Sequence, residues 1–246
     1  MMHQLIALLE VAALMPWPLL MTQDHWWAFI LVSAAILVVL RLLFGQQWRD
    51  HAGLHLSWAQ ALSAVMAFAL IAAGSAMLLH HVYEVAGLRA NPPILKDQIG
   101  FLFQAFNEEI FFRALMIGLF LQWVPSAPLV SLGLAILFAA PHYLMYRFTN
   151  PMHFTLSAAA LSTLFLAGVA MNNLFLAYRH IGFSWALHAG WNVIWLPTAM
   201  FDAATKRQLH EPQIFDRILG SPTLVISACL AAVLSFALLA RRRAGA

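Results

Sequence analysis

The feature that most constrains this chain is a series of long apolar runs, each long enough to cross a bilayer and separated by short clusters of turn residues. A spanning helix needs about 20 mostly apolar residues, and such runs lie near 26–44, 58–80, 99–123, 128–146, 155–178, 182–200 and 221–240. The stretch 3–22 is an eighth candidate, interrupted by Glu10 and by Pro16-Trp17-Pro18, which would kink or break a helix. Gly45-Gln46-Gln47, Asn91-Pro92-Pro93, Pro125-Ser126-Ala127-Pro128 and Asn150-Pro151 mark breaks between runs. In hydrocarbon every backbone polar group must be satisfied internally, which leaves helices or closed barrels. The runs are continuous, unlike the short alternating segments of a membrane barrel, so helices are expected. Composition removes the other classes. Hydrophobic residues make up 63% of the chain and charged residues 9%, against about 45–50% and about 25% in a soluble protein. The same figures exclude a disordered chain, which needs low hydrophobicity and high charge. The predicted fold is therefore an all-α integral membrane protein, a polytopic bundle of about 7–8 transmembrane helices forming one membrane domain over 1–246.

Smaller features agree with a multi-pass protein. Trp26, Trp27, Trp48, Trp58 and Trp123 fall near span ends, where aromatic belts sit. The lone cysteine, Cys229, lies within an apolar run and allows neither a disulfide framework nor a Cys-based metal site. Met1-Met2-His3-Gln4 lacks a basic segment, so no cleavable signal peptide is expected. The tail Arg241-Arg242-Arg243 reads as a cytoplasmic flank and not as a nucleic-acid patch, so no nucleic-acid partner is expected. On an alternating eight-span arrangement, Arg41, Arg49, Arg179 and the tail arginines share one side. Arg89, Lys96, Arg147, Lys206, Arg207 and Arg217 share the other, so only the clustering in the tail favours a cytoplasmic C-terminus. The longest polar connection is 201–220. No internal repeat is present, and nothing in the sequence specifies an oligomer.

Three charges stand where charges are costly. Glu108, Glu109 and Arg113 lie in the middle of the span 99–123. Each costs about 2.5–3.5 kcal/mol at mid-helix, roughly 8–10 kcal/mol together. The Leu, Ile and Phe residues of the same span return roughly 4–8 kcal/mol. The insertion signal is thus nearly cancelled, and the charges must face a protein interior or a wet cavity and find partners. Glu109 and Arg113 are one turn apart and can pair. Glu108 points about 100° away and has no local cation. A structural ion pair would need only one glutamate, so the second carboxylate argues for chemistry.

Two further spans carry polar groups at depth. His142 follows Pro141, which should kink its helix and free a carbonyl nearby, and Phe138 lies one turn earlier on the same face. His188 and Asn192 are one turn apart in a charge-free span, with Gly190 between them to admit a close neighbour. Singly, these residues could be a helix-end histidine and interhelical hydrogen-bonding groups. Together with the two glutamates and the arginine they form a buried set with acid–base and hydrogen-bonding capacity, and intramembrane ionisable residues mark functional sites. His80-His81 with Glu84 sits at a span end and reads as an interfacial cap.

The pattern resembles a known family. Glu108-Glu109-Ile-Phe-Phe-Arg113, Phe138-Ala-Ala-Pro-His142 and His188-Ala-Gly-Trp-Asn192 match, in order and on separate spans, the three motifs of the CAAX protease and bacteriocin-processing family of glutamic-type intramembrane proteases. The resemblance covers about 95–200, the expected catalytic core, with 1–94 and 201–246 as flanking helices and loop. It implies an endopeptidase without metal or other cofactor, hydrolysing a peptide bond in a membrane-anchored or lipidated protein or peptide. By that resemblance Glu108 is the base that activates water and His142 assists it. His188 and Asn192 donate hydrogen bonds to the oxyanion, while Glu109 and Arg113 brace the site and Phe138 supports it. The physical chemistry is compatible: a carboxylate serves as a base near neutral pH best in a buried setting. A multi-pass location in the inner membrane of a prokaryotic cell is expected, with the lipid bilayer as the other partner.

Three competing readings remain at this point. His142, His188 and Glu108 could form a His₂Glu zinc set, although no His-Glu-x-x-His helix is present. A non-catalytic membrane scaffold or immunity-type protein would have no need of the full set. A proton-coupled transporter also uses buried Glu, Arg and His, but the chain lacks an inverted repeat. The relatives include processors of prenylated C-termini, of bacteriocin leaders and of short membrane anchors, and composition does not choose among them.

Overall fold

The computed structural model describes residues 26–89, 91, 95–149, 153–194 and 201–244. The described residues fold into helices joined by short turns: α1 Trp26–Phe44, continued by helical turns over 45–51, α2 Trp58–Ala86, α3 Leu95–Glu109, α4 Gly118–Trp123, α5 Ala127–Leu144, α6 Ala158–Tyr178, α7 Gly182–Asn192, α8 Ala203–Gln208, α9 Glu211–Leu219 and α10 Pro222–Ala244. A π-helical segment, Ile110–Ile117, joins α3 to α4, and a second, Met145–Thr149, extends α5. Five helices among the described residues are long and apolar enough to cross a membrane: Ile30–His51, Trp58–Ala86, Ala127–Phe148, Ala158–Tyr178 and Pro222–Ala244.

Of the seven to eight spans expected, the described residues show these five. The run 99–123 is a continuous helical rod, but its charges take it out of the purely apolar class. The run 182–200 is helical only through Asn192, with 195–200 outside the described residues. The candidate span 3–22 also lies outside them. Large apolar side chains remain exposed on the outer helices, Leu42 and Met77 at 77% each, as expected of surfaces that face hydrocarbon. Cys229 is exposed on α10. The innermost of the five is α6.

Local chemistry explains where helices begin and end. Ser57 caps α2 in a reciprocal box: its hydroxyl accepts from Gln60 N at 3.3 Å, while Gln60 Oε1 accepts from Ser57 N at 2.8 Å. Gly87, at φ 67°, ends the same helix. Ser157 caps α6 and Asp202 caps α8, accepting from Thr205 N at 2.7 Å.

The bundle has two distinct ends. At one, Gly53 packs on the backbone of His180, Gly182 on Ala64 and Leu56, and Arg242 lies 4.9 Å from the ring centre of Tyr178. At the other, Phe201 meets Tyr83 edge-on at 5.2 Å, and Asp216 accepts from Ser157 N at 2.6 Å. The stretch 201–220, expected as a polar connection, is instead two short helices that bury Phe201, Ile214, Phe215, Ile218 and Leu219 against this second end. Two buried asparagines of α6 tie the bundle across its depth. Asn172 donates to Ser131 O at 2.8 Å and Asn173 to Ser235 Oγ at 3.1 Å. In hydrocarbon such bonds are worth about 0.6–2 kcal/mol each.

Candidate active site

The two glutamates close α3, and Arg113 falls within the π segment that follows. All eight residues of that segment are buried. A π turn bonds each residue to the fifth beyond it, and such turns recur at functional sites because they re-aim side chains. Glu109 and Arg113 are 0% exposed, and Arg113 Nη1 lies 3.1 Å from Glu109 Oε1. The remaining donors of Arg113 have no hydrogen-bond acceptor among the described residues. Its charge rests instead on two aromatic faces, with the guanidinium carbon 5.0 Å from the centre of Phe138 and 5.7 Å from that of Phe112.

His188 enters from α7 and stands between the carboxylates. Its Nδ1 is 2.9 Å from Glu109 Oε1, and its Nε2 is 3.7 Å from Glu108 Oε2. The first is a hydrogen bond and the second is longer than one. Because a carboxylate can only accept, Nδ1 carries a hydrogen. Ser184, one turn before His188, also faces Glu109. Glu108 is 6% exposed and accepts at Oε1 from Gln104 Nε2 at 3.2 Å. One residue back, Asn107 accepts from Ser33 of α1, tying the end of α3 to that helix.

His142 comes from α5, whose helix runs through Pro141 and changes to π geometry only at Met145. Its Nδ1 is 3.1 Å from Phe138 O. A carbonyl accepts, so this nitrogen too bears hydrogen, and in the neutral ring the lone pair sits on Nε2. His142 is within electrostatic reach of both Glu108 and His188. The ring of Phe138 touches His142 at 5.5 Å, His188 edge-on at 5.9 Å and Phe112 edge-on at 5.4 Å. Asn192 ends α7 one turn beyond His188 and is half-buried.

Thus Glu108, Glu109, Arg113, Phe138, His142 and His188 converge from α3, the π segment that continues it, α5 and α7, and Asn192 shares the helix face of His188. Spacing anticipates the Glu109–Arg113 pair. It does not reveal that Glu109 also holds His188, a contact between residues 79 apart in the chain. Gln104, one helical turn before Glu108, carries a signal that sequence reasoning left unused. Phe112 follows from nothing but its place beside Arg113. No three His, Cys, Asp or Glu side chains are arranged to hold a metal ion among the described residues. The His80–Glu84 pair is 3.4 Å long and well exposed at the end of α2, apart from this cluster.

The cluster sets an imidazole between two buried carboxylates, groups with acid–base capacity. Residues 93–194, which hold all three motifs, match the family model described as type II CAAX prenyl endopeptidase Rce1-like, so this segment is similar to that family. The family is one of endopeptidases, and the chain is an integral membrane protein. No curated protein and no solved structure matches the chain.

Proposed function

We propose that this protein is an intramembrane endopeptidase in which Glu108 activates a water molecule to hydrolyse a peptide bond, without a metal. The observation that carries the reading is the position of Glu108. It is a buried carboxylate whose one oxygen is steadied by Gln104 while the other faces His188 Nε2. Glu108 takes a proton from water as the oxygen attacks the scissile carbonyl, and returns it to the leaving amine when the tetrahedral species collapses. The lone pair on His142 Nε2 serves as a second acceptor for that water.

Hydrogen accounting sharpens the role of His188. Its Nδ1–H is committed to Glu109, so donation to an oxyanion must come from Nε2. Donation therefore requires the doubly protonated ring. Asn192, one turn on, supplies an amide donor to the same oxygen. The substrate class that suits the setting is a protein or peptide held in the bilayer by a lipid or a short anchor, reaching the site from within the membrane, here the inner membrane of a prokaryotic cell.

The test is reconstituted full-length protein incubated with membrane-anchored peptides, prenylated and unprenylated, with products identified by mass spectrometry. A cut made by the wild type and lost in Glu108→Gln supports the reading. Full cleavage by Glu108→Gln sinks the mechanism. A scaffold would cut nothing, and a transporter would move protons across the vesicle instead.

A further inference from the structure

Beyond the residues that match the family model, one side chain reaches the site from the second bundle end. Phe215 of α9 stacks on His142, with ring centres 6.2 Å apart and planes 20° from parallel. It also meets Tyr146 at 5.0 Å. Phe215 is buried and rigidly supported. Its neighbour Asp216 accepts from Ser157 N at 2.6 Å, Leu219 O accepts from Thr163 Oγ1 at 2.7 Å, and Ile214 and Ile218 are buried on the same helix.

An imidazole has two soft torsions, and the catalytic value of His142 depends on which nitrogen faces the reacting water. The Phe138 carbonyl holds Nδ1, and the ring of Phe138 leans on the imidazole at 53°. Neither contact alone fixes the ring plane, because rotation about the last torsion can retain a tilted contact. A near-parallel ring stacked on the imidazole adds the constraint on its plane. From this geometry we propose that Phe215 is a positioning residue for His142, completing the site from α9, outside the segment 93–194. The proposal rests on the endopeptidase reading above for its catalytic consequence, while its structural half stands alone.

The experiment uses full-length protein in micelles with ¹³C-labelled histidine rings. The His142 resonance is identified by its loss in His142→Asn. Phe215→Leu should move this resonance by removing the ring-current shift, whereas Phe215→Tyr should leave it in place. In cleavage assays Phe215→Leu should lower kcat about tenfold to a hundredfold, the scale of a misplaced catalytic group, with KM unchanged. Phe215→Tyr should restore turnover. Melting curves guard against a folding defect, and Phe215→Met, closer in volume, replaces Phe215→Leu where the latter does not fold. An unmoved His142 resonance overturns the proposal, as does a moved resonance with unchanged kcat, or a loss confined to KM. A wild type that cuts beside an indifferent Phe215→Leu defeats this inference only. A wild type that cuts nothing defeats the endopeptidase reading and removes the catalytic half of this one.

Discussion

The guanidinium carbon of Arg113 lies 5.0 Å from the ring centre of Phe138, and neither side chain reaches the surface. Through that one ring the three motifs meet: the arginine belongs to the first, the phenylalanine to the second, and the edge of the same ring touches His188 of the third. Buried cation–π contacts of this kind contribute about 2 kcal/mol. They hold a charge that has a single carboxylate partner and little else.

That arrangement makes Arg113 and Glu109 strongly dependent on each other. Arg113→Met leaves a buried carboxylate without its cation and should cost about 3–5 kcal/mol. Glu109→Gln should likewise destabilise by leaving the arginine alone. The double variant should lose clearly less than the sum of the two. Thermal or denaturant melts in detergent measure all three, and strictly additive losses would show that the pair is not coupled.

Turnover should be more sensitive to Glu109 than its distance from the scissile bond suggests. A glutamine there can turn its amide towards His188 Nδ1, removing the acceptor that keeps hydrogen on that nitrogen. Glu109→Gln should therefore lower kcat about 10²–10⁴-fold, with KM little changed. Adding His188→Ala to that variant should produce almost no further loss, as for groups that act as a unit. Multiplying losses would detach His188 from Glu109.

Gly190 sets how closely α7 approaches α2. A Cβ at this position would fall 2.8 Å from Ile71 Cγ2, 3.0 Å from Ile71 Cβ and 3.2 Å from the backbone of Ala72. Gly190→Ala should overpack this contact, costing about 1–3 kcal/mol, and shift His188 off Glu109. Ile71→Ala in the same chain should recover both melting temperature and turnover. If Gly190→Ala melts and cuts like the wild type, the close approach does not position the site.

The turn that joins α6 to α7 should sense acid. His180 is buried there, and burial holds its pKa below the usual histidine value. Its Nδ1 accepts from Gly182 N at 3.2 Å, a bond that only the deprotonated nitrogen can make. The unfolded chain therefore binds this proton more readily, so the contribution is present above the ordinary pKa near 6.5 and is lost as pH falls below it. Melting temperature should drop between pH 7.5 and 5.5, and His180→Asn, which offers a non-titrating acceptor, should reduce that drop. An equal drop in both proteins would assign the acid sensitivity to other histidines.

Much of this molecule is written in short-range patterns. Long apolar runs, the Ser57 and Ser157 caps and the one-turn spacing of Glu109 and Arg113 all follow from the chain read locally. Two kinds of feature do not. Contacts such as His188 with Glu109 join helices distant in sequence, and no spacing rule encodes them. The segment 201–220 misleads for a different reason: Asp202, Lys206, Arg207, Glu211, Asp216 and Arg217 dominate its composition. Yet Ile214, Phe215, Ile218 and Leu219 recur at helical spacing and form a buried stripe. The change to π geometry at Ile110 leaves no mark at all, since its residues would suit an ordinary helix equally well.

That widened stretch has a consequence for the length of the chain. A π segment is a helix carrying a surplus residue, and shortening Ile110–Ile117 by one would let the rod relax to ordinary pitch. The relaxed rod would also turn about its axis by roughly 100°, swinging either the carboxylates or the α4 end away from its seat. In this interval the number of residues is as much a functional parameter as their identity, and a single-residue deletion should be less tolerated than many substitutions of the apolar side chains around it.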